Sequence, residues 1–163
     1  MNNLEFAIAM EREGEQYYLK QAELYKDNEG LRNVCILMAK DERVHANIID
    51  DLLHNVRNKL SDRDFLSEVK SIFKDAPDVN IKSDSVNKEL DFYKEALLKE
   101  QESINLYKEL KGKAETVEEK AIFEFLISQE EDHCHLITEL INFLEKNGTL
   151  PEASEYGFSC NIK

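Results

Sequence analysis

The chain has 163 residues, 34% of them charged, with only five glycines and two prolines and a formal charge of −13. That length suits one domain with a sizeable core, and the scarcity of turn formers favours long helices over a β architecture. The acidic balance excludes the cationic surface that nucleic acids and anionic membranes require, and no apolar run approaches the ~20 residues of a membrane-spanning helix.

The opening MNNLEFAIAMERE has no basic start and carries Glu5 early, which argues against a secretory leader. Cys35, Cys134 and Cys160 are odd in number and form no C-x-x-C pair, which argues against a disulfide framework or a thiolate zinc site. A reducing cytoplasm is the expected location. Cys35 reads as a small buried apolar residue.

The spacing predicts a first helix over 3–26, with Leu4, Ile8, Glu11, Tyr18, Ala22 and Tyr25 along one face. Asp27-Asn28-Glu29-Gly30 breaks it, and a second helix over 31–60 follows so closely that it must pack antiparallel. Its inward stripe is Leu31, Val34, Met38, Ile49, Leu52 and Val56, interrupted by Glu42 and His45. Residues 61–85 change character: a short helix over 64–73, capped by Ser61 or Asp62 and stopped at Ala76-Pro77-Asp78, precedes an extended polar connection. A link this long can span the length of a bundle. A third helix over 84–110 carries Val86, Leu90, Tyr93, Leu97, Glu100, Ile104 and Tyr107, and Lys111-Gly112-Lys113 closes it. A fourth over 116–146 carries Phe123, Leu126, Glu130, His133, Ile137, Leu140 and Leu144 and ends at Asn147-Gly148. The bundle thus covers 1–147, and 148–163 form a short irregular tail in which Tyr156 and Phe158 are candidates for packing.

An internal repeat organises these elements. Ala7, Glu11, Gly14 and Tyr18 recur 89 residues later as Ala96, Glu100, Ser103 and Tyr107, while Glu42 and His45 recur 88 residues later as Glu130 and His133. Two similar helical hairpins joined by a long crossover are implied, an all-α four-helix bundle with approximate two-fold symmetry. Each inward stripe then carries one carboxylate, and two carry an imidazole one turn later. Four carboxylates converging in a dry core repel one another, and two divalent cations would cancel their charge, with neutral imidazoles completing the donor set. Gly14 opposite Ser103 indicates either close helix approach or room for a small molecule beside the metals. Glu13, Glu102, Glu131 and Asp132 read as solvated charges next to the site, and His54 and His135 as surface residues.

The segments EREGEQYY, DERVH, EQESINLY and EEDHC, spread over 3–147, resemble the di-iron domain of the rubrerythrins, within the ferritin-like superfamily. The resemblance implies Glu11 and Glu100 as terminal carboxylates, Glu42 and Glu130 as bridges between two iron ions, and His45 and His133 as one cap on each. It also implies that the hydroxyls of Tyr18 and Tyr107 orient metal-bound carboxylates. Ser103 stands where the family carries an additional glutamate, and the paired C-x-x-C motifs of a rubredoxin module do not occur in these 163 residues. The implied function is a non-haem di-iron oxidoreductase that reduces peroxide or dioxygen, with ferrous iron or an external carrier such as rubredoxin as reductant. A homodimer is implied by the resemblance alone. Carboxylate-rich sites with two imidazoles suit iron or manganese, and zinc can occupy them in a preparation. The alternatives are an iron-binding ferroxidase without sustained turnover, a di-manganese catalase, and a bundle holding a structural metal.

Overall fold

The computed structural model describes residues 3–56, 60, 65–75 and 83–147. Among them are five helices and no strand: α1 (Asn3–Leu24), α2 (Glu29–Leu53), α3 (Phe65–Asp75), α4 (Ser83–Lys113) and α5 (Val117–Asn147). None of these helices is long and apolar enough to cross a membrane. The all-α bundle expected from the repeat, and ferritin-like by the resemblance, is the one observed.

Local chemistry sets the hairpins. Asn28 sits at φ −110°, ψ 93°, and its side chain accepts from the Leu31 N–H at 3.1 Å, giving α2 its N-cap directly after α1 ends. Thr116 and Glu119 form a reciprocal cap at the start of α5: the Glu119 N–H donates to Thr116 Oγ1 at 3.0 Å, and the Thr116 N–H donates to the Glu119 carboxylate at 3.0 Å. Connections this short force α1 against α2 and α4 against α5, and the helices of each pair pack on one another. The crossover helix α3 packs on α2 and α5.

Several boundaries differ from those the sequence predicts. α2 ends at Leu53 rather than 60, because His54 caps it and Asn55 adopts φ 56°, a left-handed conformation that Asn tolerates better than most residues. Val56 therefore leaves the inward stripe and is 54% exposed. α1 stops at Leu24, and α4 continues through Gly112 to Lys113, where a Cβ on Gly112 would meet nothing within 4 Å. The expected cap at Ser61 or Asp62, the stop at Ala76-Pro77-Asp78, the connection beyond it, and the tail with Tyr156, Phe158 and Cys160 lie outside the described residues.

The core is split. One apolar cluster contains Tyr18, Leu31, Val34, Met38, Phe65, Tyr93, Leu136 and Leu140; a second contains Ala7, Ile49, Ile104, Tyr107, Phe123 and Leu126. Each fully buried Leu or Ile here contributes about 1.5–3 kcal/mol through removal from water. A polar layer, Glu11, Glu42, His45, Glu100, Glu130 and His133, comes from the same stripes and is as buried as the apolar residues around it.

Candidate metal centre

The six residues singled out by the repeat come together. Glu11 from α1, Glu42 and His45 from α2, Glu100 from α4, and Glu130 and His133 from α5 are each at most 3% exposed. Their donor atoms fall into two overlapping groups, Glu11, Glu42, His45 and Glu130 in one, and Glu42, Glu100, Glu130 and His133 in the other. Within each group the atoms lie within 4.8 Å of one another. Glu42 and Glu130 belong to both groups.

Both imidazoles turn Nδ1 toward the carboxylates. His45 Nδ1 lies 2.8 Å from Glu130 and 3.4 Å from Glu11. His133 Nδ1 lies 3.1 Å from Glu100, 3.2 Å from Glu130 and 3.5 Å from Glu42. The two rings are roughly parallel, 5.6 Å between centroids.

The polar atoms are short of hydrogen-bond partners. Glu11 Oε2, Glu42 Oε1, His45 Nδ1 and both Glu130 oxygens are buried without a bond of acceptable geometry, even where an opposite atom is close. Leaving such groups unsatisfied costs several kcal/mol in total, about 1–3 each. Donors that converge on common points without bonding one another are what a metal pair satisfies, so these residues fit one.

Protonation follows the crowding. Burial, then repulsion from Glu11, Glu100 and Glu130, pushes the Glu42 carboxyl well above the usual range. Burial and Glu130 push Glu100 up to about 8, partly offset by His133. Burial pulls His45 down, but Glu130 and Glu11 outweigh it and raise the imidazole to about 10. Burial disfavours ionised Glu130 too, yet His45 and His133 hold its carboxyl well below the ordinary range. Without metal, protons take the place of cations.

Two tyrosines tie the hairpins together at this layer. The Tyr18 hydroxyl of α1 donates to Glu100 of α4, and the Tyr107 hydroxyl of α4 donates to Glu11 of α1. Both side chains are buried, so each fixes the direction of a carboxylate it reaches from the opposite hairpin.

Two contacts were not foreseen. Asp41, 4% exposed, places Oδ2 3.4 Å from His133 Nε2. In the neutral imidazole that metal binding requires, an Nε2–H directed at Asp41 leaves the Nδ1 lone pair of His133 facing the centre. The signal was present, since Asp41 falls on the stripe of Val34, Met38, His45 and Ile49 at helical spacing. Phe65 of α3 lies 4.8 Å from the His133 ring, so the crossover covers one side of the centre. That contact has no local signature in the sequence.

A cavity of about 100 Å³ reaches the layer along the seam of α1 and α4. Met10, Glu13 and Gly14 line it from one side and Lys99, Glu102 and Ser103 from the other, and buried Tyr18, Glu42 and Glu100 form its inner wall. A Cβ on Gly14 would lie 3.2 Å from Glu42 Oε2, so glycine here allows the carboxylate close approach while leaving the cavity open. Of the two readings of the Gly14–Ser103 pair, the room beside the carboxylates is the one the cavity supports. Glu13, Glu102, Glu131 and His135 are exposed as expected, and Asp132 is half-buried.

The rubrerythrin family model matches residues 2–141, nearly the whole bundle. The chain belongs to the rubrerythrin family. Comparison with curated proteins and with solved structures found no match. For a rubrerythrin, a buried Glu and His cluster at the centre of the bundle marks a metal-binding site, and the donors found here have that arrangement.

Proposed function

We propose that the chain is a non-haem di-iron oxidoreductase that reduces peroxide or dioxygen, with ferrous iron or an external electron carrier as reductant. One observation carries the reading: two four-residue donor groups, all buried, share Glu42 and Glu130. Shared in this way, Glu42 and Glu130 would each serve both metal positions. Glu11 and His45 then complete one position, and Glu100 and His133 the other. Four carboxylates and two imidazoles suit iron or manganese better than a thiolate-seeking metal. When bound by these residues, a pair of iron ions would supply one-electron chemistry at each ion, which the two-electron reduction of peroxide or dioxygen requires.

The protein's own contribution is positional. Tyr18 and Tyr107 hold the terminal carboxylates in place, Asp41 orients His133, and Phe65 excludes water from the α3 side. The cavity admits molecules the size of dioxygen or hydrogen peroxide. A second reading, iron binding and oxidation without sustained turnover, draws support from Glu13 and Glu102, exposed carboxylates on the walls of that cavity.

The test is anaerobic reconstitution with iron or manganese followed by peroxide. Turnover that scales with added donor supports the oxidoreductase. Oxygen evolution points to a catalase, one stoichiometric oxidation points to iron handling, and no reaction with either metal points to a structural site. Glu42→Ala and Glu130→Ala should each lose at least one of two bound ions. Either variant keeping two tightly held metals would refute the bridging role.

A further inference from the structure

We infer that Met10 is a site of oxidative modification: peroxide in the α1–α4 cavity oxidises its thioether to the sulfoxide, and the sulfoxide narrows the way to the centre. Met10 is half-buried and lines the same cavity as Glu42 and Glu100. Its position differs from that of Met38, which is 1% exposed within the core. The two methionines thus share a chemistry and differ in access, which is what decides thioether oxidation in a folded protein.

The reaction balances with peroxide as the only co-reactant. A sulfur lone pair attacks one peroxide oxygen, the S–O bond forms and the O–O bond breaks. The proton on the transferred oxygen passes to the departing hydroxide, which leaves as water. Sulfur is oxidised by two electrons and peroxide is reduced by two.

The surroundings favour the product. The Ser103 hydroxyl lies 3.9 Å from Met10 Sδ and 3.2 Å from the Lys99 carbonyl, so the hydroxyl is shared between a weak acceptor and a strong one. A sulfoxide oxygen accepts far better than a thioether sulfur and competes for that hydroxyl. Lys99, which rests its ammonium 4.9 Å from the Tyr17 ring centroid, adds a cation to the wall opposite Met10. An extra polar oxygen drawn toward Ser103 and Lys99 occupies space in a cavity of only about 100 Å³. The consequence for turnover rests on the proposed peroxide reduction, whereas the oxidation of Met10 requires only peroxide and the cavity.

The experiment exposes metal-loaded and metal-free protein to rising hydrogen peroxide and maps the peptides by mass. Fragmentation of the peptide spanning residues 1–12, which also holds Met1, should place one added oxygen, about 16 Da, on Met10 at doses that leave the Met38 peptide unchanged. Protein oxidised in this way should lose severalfold in peroxide turnover and in azide affinity of the cobalt(II)-loaded form, and methionine sulfoxide reductase should restore both. Met10→Leu, which keeps the bulk and removes the sulfur, should hold its own starting rate through the same exposure. Oxidation of Met10 no faster than Met38, or decay of Met10→Leu as fast as the parent chain, would overturn the inference. Absence of any peroxide turnover would defeat the proposed function instead, and peptide masses with azide affinity would still decide the role of Met10.

Discussion

Tyr18 of α1 donates its hydroxyl to Glu100 of α4, and Tyr107 of α4 returns the same bond to Glu11 of α1. Each tyrosine therefore serves the hairpin to which it does not belong. The exchange means that neither half of the repeat can complete its carboxylate layer alone. It also favours one register between the hairpins, because the ties lie at the layer where misalignment would strand buried charge.

Tyr18→Phe tests the tie directly. The variant keeps the ring and removes the donor, leaving a buried carboxyl oxygen of Glu100 without its partner. The metal-free protein should lose about 1–3 kcal/mol, read as a lower denaturation midpoint with an unchanged slope. Tyr107→Phe should behave alike because Glu11 is equivalent. A midpoint unmoved in both variants would mean that the hydroxyls are not bonded to the carboxylates in solution.

The sequence made the centre more legible than the ends of the helices. Glu42, His45, Glu130 and His133 stood out because each is a polar interruption of an apolar stripe, and burial of such a group requires a reason. The repeat then identified Glu11 and Glu100, which alone look like solvated charges. Helix termini depend on weaker, local terms. The stripe of α2 continues through Leu52 to Val56, so periodicity extends the helix, yet one Asn in a left-handed conformation ends it. Phe65 and Asp41 were hidden for different reasons. Phe65 reaches His133 through tertiary packing of a crossover, which no window of sequence encodes. Asp41 lay on the stripe but has Gln129 as its repeat equivalent, so the symmetry that revealed the other residues passed over it.

That broken symmetry would make the two proposed metal positions unequal. Asp41→Asn removes the carboxylate facing His133 Nε2 and weakens the preference for an Nδ1 lone pair directed at the centre. Affinity at the position served by His133 should fall about 10- to 100-fold. The other position, served by His45, should change little. A titration with cobalt(II) or anaerobic ferrous iron should therefore become clearly biphasic. Equal loss of both ions, or of neither, would show that Asp41 does not orient His133.

Metal uptake should be coupled to proton release. His45, raised to about 10, and Glu100, raised to about 8, hold protons at neutral pH in the metal-free protein, and His133 and Glu42 are raised in the same direction. Ligation requires a neutral imidazole and an ionised carboxylate, so these protons compete with the ions. Affinity should rise steadily from pH 6 to pH 9. Calorimetric titration in buffers of different ionisation enthalpy should show a net release of more than one proton per chain. Heats that do not depend on the buffer would rule out this competition.

Glu89 provides a pH response away from the centre. It lies in α4 at 2% exposure, and burial raises its carboxyl from 4.5 to about 7, against a lowering contribution from the Asn28 side chain. Its Oε2 has no hydrogen-bond partner. A carboxyl whose folded value is raised stabilises the fold fully below its unfolded value and loses that contribution as pH climbs through the folded one. The stability due to Glu89 should thus be present below pH 4.5, decline toward pH 7 and be absent above pH 8. Glu89→Gln keeps the shape and removes the titration. The variant should exceed the parent chain by about 1–2 kcal/mol at pH 8, after allowance for solvent screening, and the gap should close by pH 5. Subtracting the two stability curves isolates Glu89 from the titrating residues of the centre, which are common to both. A gap that stayed constant from pH 5 to pH 8 would show that the residue is not buried as a neutral acid.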